Sequence, residues 1–137
     1  MKRSLVLVSA AFIAGPALAG DLSVRVGSLP SGDGRLVVSV CTEAEFLKTC
    51  RLSLAVAARP GTLEVRMAAV PPGRYAVQVY HDQNGNGRLD TNLIGIPTEP
   101  YGLSRNPSTS LRAPRFDETV IDVGAAAQSV SITLRGT

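Results

Sequence analysis

The residues best suited to chemistry in this chain fall in one short stretch, Tyr80-His81-Asp82-Gln83-Asn84-Gly85-Asn86-Gly87-Arg88-Leu89-Asp90. Asp82, Asn84, Asn86 and Asp90 stand at relative positions 1, 3, 5 and 9, the spacing of oxygen donors in a calcium loop. Gly87 falls at position 6, where such a loop turns sharply, and the main-chain carbonyl of Arg88 at position 7 offers a further oxygen. Position 12 is Leu93 rather than the bidentate Glu of an EF-hand, and the flanks read as strand and loop rather than as two helices. The missing oxygen must therefore come from elsewhere, with Glu99 or a main-chain carbonyl as candidates. Two carboxylates compensate a divalent charge only modestly, so the expected affinity is weak, about 10⁻⁴–10⁻³ M. The same residues also suit a metal-free turn. Asn-Gly occurs twice, and it is a favoured hairpin-turn dipeptide. Asp82 and Asp90 would then cap the turn by accepting backbone N–H groups.

Other chemistry-bearing residues are sparse. His81 is the single histidine. Beside Asp82 it allows a general-base reading, but no nucleophile is fixed next to it in sequence, so a core or surface histidine is the simpler expectation. Ser104, Ser108 and Ser110 lie in a Pro-rich segment without a nucleophile-elbow motif. Cys41 and Cys50 are too far apart for Cys-x-x-Cys and have no nearby His. Metal ligation and redox catalysis are the alternatives to a structural disulfide, and an oxidising compartment favours the disulfide. Closing a loop of this size stabilises by about 2–3 kcal/mol in the chain-entropy model. Between the cysteines, Thr42–Thr49 suits a short helical turn.

The elements that must position these residues read as strands. Apolar residues alternate at Leu22/Val24/Val26, Leu36/Val38/Val40, Leu63/Val65/Met67, Tyr75/Val77/Val79 and Val130/Ile132/Leu134. A short strand is expected over 119–123. Turn clusters stand between them, at 29–34 and at Pro71-Pro72-Gly73. The stretch 52–58 is either strand or irregular, because Ala weakens the pattern. The long Pro-, Ser-, Asn- and Gly-rich stretch 91–114 reads as a loop. The expectation is an all-β chain, an antiparallel β-sandwich of about seven strands with Greek-key connections, transthyretin-like or immunoglobulin-like, forming a single domain over residues 20–137.

Residues 1–19 read as a cleavable secretory signal peptide. Lys2 and Arg3 precede an uncharged apolar run, Pro16 breaks it, and Ala17-Leu18-Ala19 has the small-x-small form of a cleavage site. The apolar run is short for a membrane span, and no second long run follows. No Cys stands at the cleavage point to take a lipid anchor. A periplasmic or secreted location follows as the expectation. The full chain carries 14 Lys+Arg against 11 Asp+Glu, a formal charge of +3. Lys2 and Arg3 leave with the signal, so 12 stand against 11, or +1. Arg105, Arg112 and Arg115 form a loose group without a basic stripe or stacking aromatics, which argues against nucleic-acid binding.

Three motifs in order resemble a known group: Pro71-Pro72-Gly73-Arg74-Tyr75-Ala76-Val77, then His81 through Asp90, then Ile94-Gly95-Ile96-Pro97-Thr98-Glu99-Pro100-Tyr101-Gly102-Leu103-Ser104. With Phe116-Asp117 they are similar to an uncharacterised family of exported bacterial proteins, domain-of-unknown-function family 2141. The resemblance implies an envelope or secreted protein with no assigned activity, and it supplies no catalytic residues. The Pro-Gly-x-Tyr strand entry also resembles that of transthyretin-like and carboxypeptidase-regulatory-like sandwiches, a likeness of fold that transfers no function.

The leading functional expectation is a non-enzymatic accessory or binding module, with calcium as its one candidate cofactor and an envelope or surface protein as its partner. A small hydrolase or lyase using His81 and Asp82 with groups from 91–114 is the alternative. A third reading is a partner-binding module that uses the long loop or an exposed strand edge.

Overall fold

In the computed structural model, residue 11 and residues 18–109 and 112–136 are described. The expected signal peptide and Ser110 fall almost wholly outside them. Among the described residues eight strands form: β1 (Gly20–Leu29), β2 (Arg35–Cys41), β3 (Leu52–Ala57), β4 (Gly61–Val70), β5 (Gly73–Asp82), β6 (Tyr101–Leu103), β7 (Ile121–Val123) and β8 (Gln128–Thr133). They make two sheets, β4-β1-β8 and β3-β2-β5-β6, with β7 pairing onto the start of β5. The protein is a β-sandwich. Every strand pair is antiparallel except β1 with β8, which run parallel. The register is set by alternation, since a slip of one residue would turn each apolar row into water. Leu22, Val24 and Val26 of β1 thus face Leu36, Val38 and Val40 of β2 and Val77 and Val79 of β5 across the core, closed by Ile132.

β2 departs from simple alternation. Val37, Ser39 and Cys41 on its outer face are buried as well. The segment after β2 folds back over that side of the sheet. It holds a 3-10 turn, Glu43–Glu45, where a short helical turn is expected. The Leu47 N–H donates to Gln78 Oε1 of β5 at 2.5 Å, and Phe46 meets Phe116 edge to face. Cys41 and Cys50 are disulfide-bonded, with Cα atoms 5.1 Å apart, and this pins the strap at both ends. Residues 52–57 are a strand, paired over their whole length with β2. The stretch 91–114 is not one continuous loop, because Tyr101–Leu103 pairs with β5. Three residues between prolines and glycines show too little alternation to be read as a strand alone. Among the described residues, no helix is long and apolar enough to cross a membrane.

Two acidic side chains set part of the acid response. Glu45 accepts the Thr42 N–H and pairs with Arg51, which holds its carboxyl at about 2. Glu118 is bonded by Arg112 and by the Arg115 N–H, and lies at about 2 also. Both folded values sit below the ordinary 4.5. The stability these groups contribute is therefore fully present above that ordinary value and is lost as pH falls toward about 2. The denaturation midpoint is expected to decline over that window. Glu45→Gln and Glu118→Gln together should flatten the decline, modestly because solvent screens both pairs.

Candidate functional site

The candidate loop begins where β5 ends. Adjacent strand residues point to opposite faces, so His81 and Asp82 part company. His81 turns inward with Val77 and Val79. It is fully buried, and its Nε2 lies 2.6 Å from the Asp33 carbonyl in the turn before β2. Among the described residues its Nδ1 has no partner. Asp82 turns to the other face and is also buried, at 1% exposure. Its Oδ1 accepts the Asn86 N–H at 3.1 Å, and its Oδ2 accepts the Gly87 N–H at 2.8 Å. Asp82 thus wraps the chain around its own carboxylate. Gly85 and Gly87 permit this with φ of +70° and +80°, values L side chains rarely adopt.

Asn84 and Asn86 continue the pattern. Asn84 Oδ1 accepts the Asn86 N–H at 3.2 Å, and Asn86 Oδ1 accepts the Arg88 N–H at 3.2 Å. Their carboxamide nitrogens both reach Asp90, at 2.6 Å from Asn84 and at 2.8 and 3.0 Å from Asn86. These bonds, Asn86 first, pull the Asp90 carboxyl below its ordinary range, with exposed Arg88 contributing at 3.4 Å. Glu99 closes the loop from beneath. Its Oε1 accepts the Gln83 N–H at 2.9 Å and its Oε2 accepts the Asp90 N–H at 3.0 Å, which ties the two ends together. Burial raises the Tyr80 phenol, and the Asp82 and Glu99 charges raise it further. Negative potential therefore gathers at this end of β5.

The side chains expected at positions 1, 3, 5 and 9 come together, but they do so through hydrogen bonds to one another. Among the described residues, no three His, Cys, Asp or Glu side chains cluster so as to hold a metal ion. A cation here would draw on two carboxylates, Asp82 and Asp90, and on amide and main-chain oxygens. Both oxygens of Glu99 already accept backbone N–H groups, so Glu99 acts as the clamp that orders the loop. The donor set is all oxygen, which suits a hard cation. To be ligands, the carboxamides of Asn84 and Asn86 must turn their oxygens toward Asp90. That exchange would have to break the bonds just described.

The next turn presents apolar side chains. Asn92 Oδ1 accepts the N–H groups of Ile94 and Ile96 at 3.1 and 3.0 Å, and the Asn92 N–H donates to the Ile96 carbonyl at 2.8 Å. Held in this way, Leu93, Ile94 and Ile96 stand out at 106%, 79% and 54% exposure. Sequence reading passed over this tip because single exposed aliphatics are common. The shared Asn92 oxygen ties Ile94 and Ile96 into one turn, with Leu93 beside them.

The remaining candidates are structural. Ser104 is fully buried, accepts the Val77 N–H at 2.9 Å and donates to the Thr119 carbonyl. Among the described residues, the polar partner of the His81 ring is the Asp33 carbonyl, and neither Ser104 nor Ser108 bonds it. Arg112 forks onto Glu118, Arg115 pairs with Asp117 and Glu118, and Arg105 donates to the Asp117 carbonyl. The arginines thus secure the second 3-10 turn, Phe116–Glu118. His81, buried against the turn, has no open face from which to take a substrate proton.

No curated protein and no solved structure matches this chain. Residues 24–131 match a family described as uncharacterized proteins conserved in bacteria, DUF2141. That span holds every strand wholly or in part, the disulfide, the Asp82–Asp90 loop and the Asn92 turn. The chain is a member of this bacterial family of unknown function, and it builds the family's shared region as a disulfide-strapped β-sandwich.

Proposed function

We propose that this chain is an exported, non-enzymatic binding module, periplasmic or secreted, whose 82–90 loop takes calcium weakly and whose Asn92 turn offers an apolar tip to an envelope or surface partner. One observation carries the cation reading: the side chains of Asn84, Asn86 and Asp90 meet within hydrogen-bond distance above a turn anchored on Asp82. The pattern of residues 1–19 supports export. The rigid exposure of Leu93, Ile94 and Ile96 supports partner binding, since preorganised apolar side chains lose little freedom on docking.

Thermal melts test the cation. A ligand that binds only the folded chain raises stability by RT ln(1 + [L]/Kd). With Kd of about 10⁻⁴–10⁻³ M, calcium near 10 mM should raise the melting temperature by roughly 5–10 °C over chelator. Asp90→Asn should abolish the rise and lower the chelated melt modestly, since it also removes the charged acceptor of Asn84 and Asn86. Identical melting in calcium and chelator would remove calcium from the reading.

A further inference from the structure

The sheet edges are managed unequally. β4 carries Glu64 and Arg66 and has register shifts near both ends, devices that keep a foreign strand away. The edge of β8 is capped by Asn106, which donates to the Ser131 carbonyl at 3.4 Å and accepts the Thr133 N–H at 2.9 Å. β6 is three residues long, and Tyr101 bridges onward to Arg135. Among the described residues, β3 ends the larger sheet without any of these. Leu52-Ser53-Leu54-Ala55-Val56-Ala57 has no charge, no proline and an unbroken register with β2.

The pattern of backbone groups on β3 follows from one bond. The Ala58 N–H donates to the Gly34 carbonyl, in register with the β2–β3 ladder. Hydrogen-bonded pairs alternate with open ones in antiparallel strands. Leu36–Val56, Val38–Leu54 and Val40–Leu52 are therefore the bonded pairs, and Ser53, Ala55 and Ala57 aim their N–H and C=O groups outward. On the core-facing side Leu52 and Val56 pack inward, but Leu54 remains 40% exposed. The occupant of such an edge is an extended strand with an apolar row.

We infer that this strand is β3 of a second copy, paired antiparallel on a two-fold axis through Leu54. β3 is its own complement, with outward groups at Ser53, Ala55 and Ala57 and an uncharged apolar row between them. Centring on Leu54 sets Ser53 of one copy against Ala55 of the other, and Arg51 against Ala57. Centring on Ala55 would oppose Arg51 to Arg59, like charges face to face. Centring on Ser53 would run the pairing into the Cys41–Cys50 corner. The Leu54 register joins two five-stranded sheets into one and covers both exposed leucines. A contact this small makes a weak, reversible dimer.

Sedimentation of the purified chain from about 10 μM to about 1 mM, the range for a small interface, should show concentration-dependent dimerisation. Ala55→Pro removes an outward N–H and no bond to β2, so the monomer keeps its fold, as proline is tolerated on edge strands. It should weaken association at least about tenfold, because two backbone bonds are lost across the axis. Leu54→Lys should weaken it similarly by placing like charges together. Leu54→Cys should form an intermolecular disulfide when dissolved oxygen or a mild thiol oxidant takes up the two electrons, while Ala57→Cys does not, which reads out the register. A chain monomeric throughout this range overturns the inference, as does a dimer indifferent to both Ala55→Pro and Leu54→Lys. A monomer that instead takes up an unrelated uncharged strand at β3 also overturns it.

Discussion

Gly34→Ala is expected to destabilise the protein by roughly 3–5 kcal/mol, with a matching drop in the urea midpoint. Gly34 sits in the turn between β1 and β2 at φ +64°. A Cβ there would lie 1.9 Å from the Asp82 carbonyl oxygen and 2.8 Å from that of Gln83. Both obstacles are backbone and cannot swing aside. The turn would have to move off the end of β5. That would break the contact of His81 Nε2 with the Asp33 carbonyl and the pairing of Arg35 with Asp82. Gly85→Ala is the control. Gly85 also has positive φ, at +70°, but nothing lies within 4 Å of its Cβ position. Its cost should be only about 1–2 kcal/mol, the left-handed penalty of a single residue. Equal costs at the two positions would show that close approach at Gly34 does not govern the loop's seat.

Asp82→Ala should cost about 2–4 kcal/mol and abolish any calcium-dependent rise in melting temperature. The carboxylate accepts two backbone N–H groups, and charge-assisted bonds of this kind contribute roughly 1.5–3 kcal/mol each. Part of that is recovered, because the Asn86 backbone lies on an exposed stretch where water can replace the lost partner. Asp82→Asn should fall between. One carboxamide oxygen remains as an acceptor, but the amide nitrogen is a donor and would meet a second donor. Equilibrium urea unfolding gives the first quantity and calorimetry with and without calcium gives the second. A cost under about 0.5 kcal/mol, the usual scale of surface substitutions, would mean that Asp82 does not organise the loop.

Much of this fold is legible in period-two alternation. The rows Leu22/Val24/Val26, Leu36/Val38/Val40 and Tyr75/Val77/Val79 lie where the pattern puts them, because one buried face forces one register. The failures have a common cause. β6 owes its strand character to a partner, β5, rather than to its own three residues. Ser39 is buried beside Gln78, which the segment between the cysteines reaches through Leu47, and no local pattern announces a cover supplied by residues further along the chain. Ser104 looked like one of several loop serines. It bonds Val77, 27 residues earlier, and Thr119, 15 residues later.

The candidate loop divides in the same way. Its oxygen-bearing side chains, their spacing and the glycines between them follow from the order of residues alone. So do the two cysteines and the family to which the chain belongs. Tertiary structure decided what each group faces. It turned His81 into the core and Asp82 out of it. It gave Glu99 to the two ends of the loop, and it tied the Ile94 and Ile96 N–H groups to one asparagine oxygen. Periodicity reports which side of a strand is dry, and spacing reports which side chains share a turn. Neither reports the long-range backbone donor that a carboxylate will meet, because that donor is brought in by the packing of the rest of the chain.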